Sequence, residues 1–252
     1  VLFTYLITVR VSIKIFPPAE HLSRRHLAYM AGVVGAFMAA FATTFWDNAV
    51  EAEVYAASCA IMALAIWLVL LWEERADEPN ADGLLLIITY LVGLGVGIHL
   101  GVAVAAWATV VYVFVTRPRY LGRWGYLGWG LVTLSLGTGV HPVAFLVAPV
   151  VLALTLFVWL LTGKLRKLAF WASLLFMVGV SVHFFLIIRS NLDPIINEAA
   201  PKTWDALWLM LIRDQYKPPP VWMRKADFGY QFDHMYLRYV WWNFTLLAVN
   251  GK

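Results

Sequence analysis

Long charge-free stretches dominate the pattern of this chain. Asp, Glu, Lys and Arg are absent from five of them, at residues 27–46, 54–72, 83–116, 124–163 and 168–188. A helix of roughly 20 apolar residues crosses a bilayer. The stretches 27–46, 54–72 and 168–188 therefore predict one membrane span each, whereas the other two are long enough for two spans each.

Both of the longest stretches have a polar interruption near the middle, where the chain can turn. Gly97-Ile98-His99 interrupts the first, and Gly139-Val140-His141-Pro142 interrupts the second. The four spans predicted from these stretches lie at 84–99, 100–116, 124–140 and 142–162. Residues 1–16 resemble the end of an earlier span, which Pro17-Pro18 would stop because proline cannot continue a helix.

The composition is that of a membrane protein, since 62% of the residues are hydrophobic and only 13% are charged. Soluble domains have about 25% charged residues, and disordered chains combine low hydrophobicity with high charge. We therefore predict an all-α fold, a polytopic membrane helical bundle. The single cysteine, Cys59, excludes a disulfide scaffold and a multi-cysteine metal site. Residue 1 is Val and no signal-peptide pattern is present, so we expect an internal piece of a longer protein.

Basic residues orient the predicted spans. They cluster in two loops, at Arg117, Arg119 and Arg123 and at Lys164, Arg166 and Lys167, and no acidic residue lies between 83 and 191. Because positively charged loops stay in the cytoplasm, the bundle of residues 1–188 would place 189–252 on the non-cytoplasmic side. The acidic loop 73–82 falls on the cytoplasmic side, but Asp and Glu contribute little to this rule. We expect a multi-pass protein of a bacterial inner membrane or the endoplasmic reticulum.

This orientation gathers polar residues at the outer face of the bundle. They are Trp46, Glu51, Glu53 and Tyr55 at and beside residues 47–53, His99 and His141 in the two turns, and the residues from Arg189 onward. A carboxylate at this boundary can serve as a general base, so Glu53, and after it Glu51, are the catalytic candidates. The alternative is an interfacial carboxylate that only caps the helix starting near residue 54.

The histidines suggest binding by hydrogen bonds rather than metal ligation. His99 and His141 are candidates to contact a phosphate or a sugar, whereas His183 lies inside the span 168–188 and is interpreted as a packed residue. The sequence contains no His-x-x-x-His or Glu-x-x-His spacing, so it predicts no metal site. Dependence on a divalent metal stays open.

The segment 189–252 regains charged residues and proline. Thr203 before an apolar run predicts a helix over 204–216 with a threonine N-cap. Residues 228–249 are rich in aromatic side chains, which predicts either an interfacial belt or the entry to another span. Basic residues are few and mixed with acids here, which argues against a nucleic-acid partner.

Several separated motifs resemble one membrane family. They are Phe45-Trp46 with Ala49 through Tyr55, Gly97-Ile98-His99-Leu100, Pro194 through Glu198, Pro201 with Trp204, Arg213 through Tyr216, Tyr236 through Tyr239, and Trp242-Asn243-Phe244. This family is the domain-of-unknown-function 2723 group, which includes transmembrane protein 260-like protein O-mannosyltransferases and is similar to the GT-C glycosyltransferases. The resemblance covers nearly the whole chain in order.

The resemblance implies a GT-C-like bundle that passes a sugar from a polyprenyl-phosphate carrier to an acceptor on the non-cytoplasmic side. The partners would be the lipid bilayer, the lipid-linked sugar donor, with mannose as the first choice, and a protein Ser/Thr hydroxyl or glycan acceptor. The family's catalytic carboxylate lies in a first outer loop that we do not find here and expect upstream of Val1. The residues expected to bind substrate are His99, His141, Arg189, Asn197, Glu198, Trp204, Arg213, Gln215, Tyr216, Trp46 and Tyr55.

Two other functions compete with glycosyl transfer. A transporter or flippase of lipid-linked sugars would carry broken helices and charges near the middle of the membrane. Here the ionisable residues are predicted at the outer ends of spans, with only His183 well inside one. A structural scaffold would not need polar groups clustered on one face. The sequence therefore favours chemistry at the membrane surface.

Overall fold

The computed structural model describes residues 1–17, 22–51, 54–117, 166–211, 214 and 227–244. All regular structure in these residues is helical. The helices are α1 (Leu2–Ile15), α2 (Leu22–Phe41), α3 (Thr43–Val50), α4 (Val54–Glu74), α5 (Asp82–Val96), a 3-10 turn (Leu100–Val102), α6 (Ala103–Thr116), α7 (Arg166–Val180), α8 (Val182–Asn191), α9 (Trp204–Leu211), a π-helix (Tyr230–Leu237) and α10 (Arg238–Phe244). The predicted spans 124–140 and 142–162 lie outside the described residues.

Two helices in the described part are long and apolar enough to cross a membrane. They are Val54–Glu74 and Leu174–Asn191, which counts the end of α7 and all of α8 as one helix through Ser181. The bent pair Arg25–Phe41 with Thr43–Val50 makes a third if it counts as one span. With a rise of about 1.5 Å per residue, α4 is about 31 Å long, close to the thickness of a bilayer's hydrocarbon core. The shorter apolar helices Asp82–Val96 and Ala103–Val113 pack beside it.

Two spans that the sequence predicts as continuous are interrupted in the structure. The predicted span 27–46 bends by 60° between α2 and α3, because Ala42 takes an extended backbone with ψ 127°. The predicted span 168–188 contains a turn at Ser181, which separates α7 from α8. Neither position is Pro or Gly, so the usual sequence signals for a break are missing. The span predicted at 54–72, in contrast, lies within α4.

Side-chain contacts fix the relative directions of the helices. Phe3 packs on Trp67 and Arg10 pairs with Glu74, so α1 and α4 run in the same direction. Tyr112 near the end of α6 donates a hydrogen bond to Glu73 near the end of α4, so α6 runs in that direction too. The core between α4, α5 and α6 is aliphatic apart from Trp72, with Ala65, Leu68, Val69, Trp72, Ile88, Val92, Ala105 and Val113 buried together.

Glycines bring α5 and α7 into backbone contact. A Cβ atom on Gly93 would lie 2.7 Å from the carbonyl oxygen of Phe176, and one on Gly97 would lie 2.4 Å from Val182. The contacts advance in the same direction along both segments, from Gly93 with Phe176 to Gly97 with Val182. α5 is therefore parallel to α7 and to the start of α8. The predicted arrangement requires this direction, since three crossings would separate the two helices. Small residues that allow such close approach are typical of helix packing in membranes.

One end of this bundle, which we call the ionic end, carries paired charges. Arg10 pairs with Glu74 and Lys14 with Glu73, across α1 and α4. Tyr112 donates to Glu73 at 2.8 Å. Asp77 in the acidic loop accepts from Arg117 at 3.1 Å. Acidic residues of the loop 73–82 therefore pair with basic side chains from α1 and from the end of α6.

Candidate functional site

The opposite end of the bundle, which we call the histidine end, holds Tyr55 and His99 in direct contact. Tyr55 lies in the first turn of α4, and His99 follows the end of α5. Their ring centroids are 5.2 Å apart with the planes at 60°. Ser58, buried one turn further along α4, donates from its hydroxyl to the Tyr55 carbonyl at 2.9 Å. The turn predicted at 97–99 is confirmed, and it delivers His99 to the start of α4.

A backbone bond sets the tautomer of His99. The amide of Gly101 donates to the His99 Nδ1 at 3.0 Å. An amide can only donate, so Nδ1 carries no proton, and a neutral imidazole must then carry its proton on Nε2. His99 therefore presents a hydrogen-bond donor at its outer nitrogen.

His183 lies at the same end and has the opposite tautomer. Its Nδ1 is 2.7 Å from the carbonyl oxygen of Val180. A carbonyl can only accept, so this Nδ1 carries the proton, and the Nε2 of the neutral ring is an acceptor. The side chain is buried, and a Cβ on Gly97 would lie 3.6 Å from its Cε1 atom. The break at Ser181 thus sets His183 beside the turn that carries His99.

A second polar group forms where the chain folds back after α8. Arg189 donates to the Ile196 carbonyl at 3.1 Å, and Asn197 donates to the Ser190 carbonyl at 3.4 Å. Trp204 packs edge-on against Phe184 with 5.4 Å between centroids. Three predicted substrate-binding residues, Arg189, Asn197 and Trp204, are therefore joined in one fold-back loop.

The start of α9 closes this loop. Ala206 donates its amide to the hydroxyl of Thr203 at 3.2 Å, so the predicted threonine N-cap is confirmed. Lys202 pairs with Asp193. Glu198 is exposed, and it precedes Ala199 and Ala200, whose φ values of 57° and 38° are unusual for residues with a side chain. Within the described residues, Glu198 belongs to the loop surface.

The helix α3 carries the other described candidates. Trp46 is 58% exposed on it. Glu51 ends the helix with an extended backbone, φ −84° and ψ 145°, so it does not share a helix with Tyr55. Ala42 before α3 has no side chain that could cap it. Asn243 of α10 fills this role instead, since its side-chain oxygen accepts from the amide of Thr44 at 2.9 Å.

The two polar groups lie at different heights along the bundle. α8 starts beside Gly97 and ends at Asn191. Eight residues separate His183 from Asn191, so at about 1.5 Å each the end of α8 lies about 12 Å beyond His183, and Arg189 lies about 9 Å beyond it. Tyr55, His99 and His183 thus form a lower level, and the fold-back loop forms an upper level. Five predicted site residues lie outside the described part: Glu53, His141, Arg213, Gln215 and Tyr216.

The polar groups described at the lower level offer hydrogen bonds. Within the described ranges, no three His, Cys, Asp or Glu side chains lie close enough together to hold a metal ion. A donor on His99 and an acceptor on His183 are the polar groups that the bundle positions beside the Gly97 turn. The aromatic ring of Tyr55 covers one side of the His99 ring.

Comparison with known families gives a match to the first half of the chain. Residues 1–122 match the family model described as Protein O-mannosyl-transferase TMEM260 N-terminal domain. The name implies a glycosyltransferase. The matched part is 122 of the 252 residues and contains Trp46, Glu51, Tyr55 and His99, whereas His183 and the fold-back loop follow it. No curated protein matches the chain, and no solved structure does.

Sequence reasoning missed one residue that organises this end, Asn243, and was right about another. His183 was interpreted as packed and hydrogen-bonded, and it is buried with its Nδ1 2.7 Å from the Val180 carbonyl oxygen. The turn at Ser181 that sets it beside Gly97 has no signal in the sequence. In the sequence, Asn243 was noted only as part of the motif Trp242-Asn243-Phe244. A polar residue between aromatic side chains was the signal that could have indicated a specific hydrogen-bond partner.

Proposed function

We propose that the protein is a GT-C-type membrane glycosyltransferase of the domain-of-unknown-function 2723 group. It moves a sugar, mannose as the first candidate, from a polyprenyl-phosphate carrier to a Ser/Thr hydroxyl or another acceptor on the non-cytoplasmic face. The observation that carries this proposal is the match of residues 1–122 to an O-mannosyltransferase family. The matched helices are those that build the contact between Tyr55 and His99.

The reaction displaces a phosphate from the anomeric carbon of the sugar. It requires a base for the incoming hydroxyl and hydrogen-bond donors for the departing phosphate. His99 offers a donor at its outer nitrogen, and Arg189 offers a cation on the upper level. Glu53, outside the described residues, is the first candidate base within this chain, and Glu51 is the second.

The position of these groups suits a lipid-linked substrate. The polyprenyl chain of such a substrate lies in the bilayer beside apolar helices such as α4, while its phosphate and sugar stay at the membrane–water boundary. Groups at the ends of spans meet such a head group without the cost of placing charges at mid-membrane. This arrangement supports transfer at the surface rather than passage through the bundle.

Sugar transfer in membrane vesicles tests the proposal. The full-length protein would be supplied with radiolabelled polyprenyl-phosphate mannose and an acceptor peptide, as wild type, Glu53→Gln and His99→Ala. We expect either variant to lose about 100-fold or more in transfer rate, the effect of removing a proton-transfer group. His26→Ala is the matched control, because His26 is exposed near the start of α2, at the ionic end.

Two results would argue against the proposal. If folded wild-type protein transferred no sugar from any of several lipid-linked donors, transport of such lipids would become the better explanation. If it transferred sugar but both variants kept the wild-type rate, the chemistry would lie outside these residues. The described helices would then act as a carrier-binding scaffold.

A further inference from the structure

Arg238, the first residue of α10, carries a positive charge that the described part of the chain does not neutralise. Its guanidinium carbon lies 4.5 Å from the centroid of the Trp242 ring and 5.7 Å from that of Tyr239. One terminal nitrogen is 3.5 Å from the Nε2 of His234, which is the outer limit of a hydrogen bond. Among the described residues, no carboxylate forms an ion pair with Arg238. The aromatic rings therefore hold the cation in place without supplying a counter-charge.

One N–H group of Arg238 is buried without a partner. The Nε atom is shielded from solvent, and it has no hydrogen-bond partner in the described part of the chain. A guanidinium can only donate hydrogen bonds and keeps its charge, so a partner from outside the chain has to be an acceptor. A phosphate ester suits this side chain best, because its oxygens accept two parallel hydrogen bonds from the guanidinium fork.

The position of Arg238 puts this cation close to the end of a membrane span. Asn243 follows it by five residues in α10, about 7.5 Å along the helix axis. The side-chain oxygen of Asn243 accepts from the amide of Thr44 at the start of α3, and α3 continues the bent candidate span that begins in α2. α10 is thus attached to the histidine end of the bundle, near the level at which a bilayer would place its headgroups.

A row of stacked rings precedes Arg238. Phe228 stacks on Phe232 with 5.8 Å between centroids and 8° between planes, and Phe232 stacks on Tyr236 at 5.6 Å and 19°. All three side chains are exposed, and most of the row lies in the π-helix Tyr230–Leu237, a rare form that often occurs at functional sites. Exposed aromatic side chains of this kind are enriched at membrane–water interfaces. A soluble anion would leave the row in water, whereas a lipid brings both a phosphate and an apolar surface.

We propose that Arg238 binds the headgroup phosphate of a membrane phospholipid, with the row Phe228, Phe232 and Tyr236 against the apolar part of the same leaflet. The bound lipid holds α10 in place and, through Asn243, keeps the cap on α3. This lipid site goes beyond the proposed function and does not depend on sugar transfer.

Lipid binding by the full-length protein tests the site directly. The protein would be purified in dodecyl maltoside, which has no phosphate, and titrated with phosphatidylglycerol while native mass spectrometry follows the first bound lipid. We expect Arg238→Gln to weaken its Kd about tenfold or more, the effect of losing a hydrogen bond to a charged group. Arg238→Lys keeps the charge but loses the fork, so its Kd should fall between the two. Arg75→Gln is the matched control, since Arg75 is exposed beside the acidic residues of the loop 73–82.

Two further probes distinguish the source of the phosphate. Inorganic phosphate and a polyprenyl phosphate would be titrated against the same variants. We expect phosphatidylglycerol to depend on Arg238 and inorganic phosphate to bind too weakly to detect. If only the polyprenyl phosphate depended on Arg238, the site would belong to the sugar carrier and the phospholipid proposal would be overturned. An equal Kd for phosphatidylglycerol in wild type and Arg238→Gln would overturn it as well.

Hydrogen exchange at the Thr44 amide gives a readout of the coupling to α3 that needs no variant. We expect phosphatidylglycerol to slow this exchange in wild type, whereas diacylglycerol with the same acyl chains, which lacks the phosphate, leaves it unchanged. In Arg238→Gln, phosphatidylglycerol should no longer slow it. Exchange that does not respond to phosphatidylglycerol in wild type, or responds equally to diacylglycerol, would overturn the link between the lipid phosphate and the cap. Loss of sugar transfer in wild type would affect only the proposed function.

Discussion

Replacing Gly179 with Ala tests the parallel contact between α5 and α7. A Cβ at this position would lie 2.6 Å from the amide nitrogen of Leu94 and 2.8 Å from both the Gly93 carbonyl carbon and the Tyr90 carbonyl oxygen. All three atoms belong to backbone, so no side chain can rotate away. Ordinary contact begins at 3.4 Å, and the helices must therefore separate by about 0.8 Å.

The net cost follows from two opposing terms. Overpacking in a tight interface costs about 1–3 kcal/mol, and three backbone clashes place Gly179→Ala near the upper value. Alanine gains about 1 kcal/mol over glycine in helix propensity. We expect a loss of about 2 kcal/mol in the free energy of unfolding, which is about a 30-fold change in the unfolding equilibrium.

Reversible unfolding in mixed detergent–SDS micelles, followed by circular dichroism, measures this change. Gly83→Ala is the matched control, because it makes the same substitution in α5 at a position with nothing within 4 Å. We expect the control to be stabilised by about 0.5–1 kcal/mol. If Gly179→Ala were as stable as Gly83→Ala, the close approach of α5 and α7 would be refuted.

Two further predictions concern contacts at the two ends of the bundle. Asn243→Ala should leave the first amides of α3 without their cap and destabilise this helix by about 1 kcal/mol, the usual value of an N-cap. The hydrogen-exchange rate of the Thr44 amide should then rise. An unchanged rate would contradict the cap. A double-mutant cycle with Lys14→Met and Glu73→Gln should give a coupling free energy of unfolding of about 1 kcal/mol. This coupling should weaken with added salt, because both side chains are partly exposed. A coupling of zero would mean that the pair does not stabilise the bundle.

The sequence predicted the straight apolar helices well because their signal is local. The stretch 54–72 lies within α4, and the turn at 97–99 separates two helices as expected. Thr203 caps α9 because an N-cap needs only the residues that follow it. These features depend on neighbours within four positions, which a single sequence displays.

The breaks and the site contacts depend on distant parts of the chain. α3 starts at Thr43, directly after Ala42, which lacks a capping side chain, and the cap comes from Asn243. Tyr55 meets His99 only because α4 packs against α5. Hydropathy along the chain does not report such contacts, so the sequence alone could not show which residues meet at the histidine end.

The link between Thr44 and Asn243 has a consequence for biogenesis. These two residues are 199 positions apart. A ribosome adds about 5–20 residues per second, so roughly 10–40 s pass between the synthesis of α3 and that of its cap. Throughout that interval the first turn of α3 has exposed amides and the exposed ring of Trp46. The helix α3, which carries Trp46, can therefore receive its cap only after the chain has been synthesised as far as Asn243.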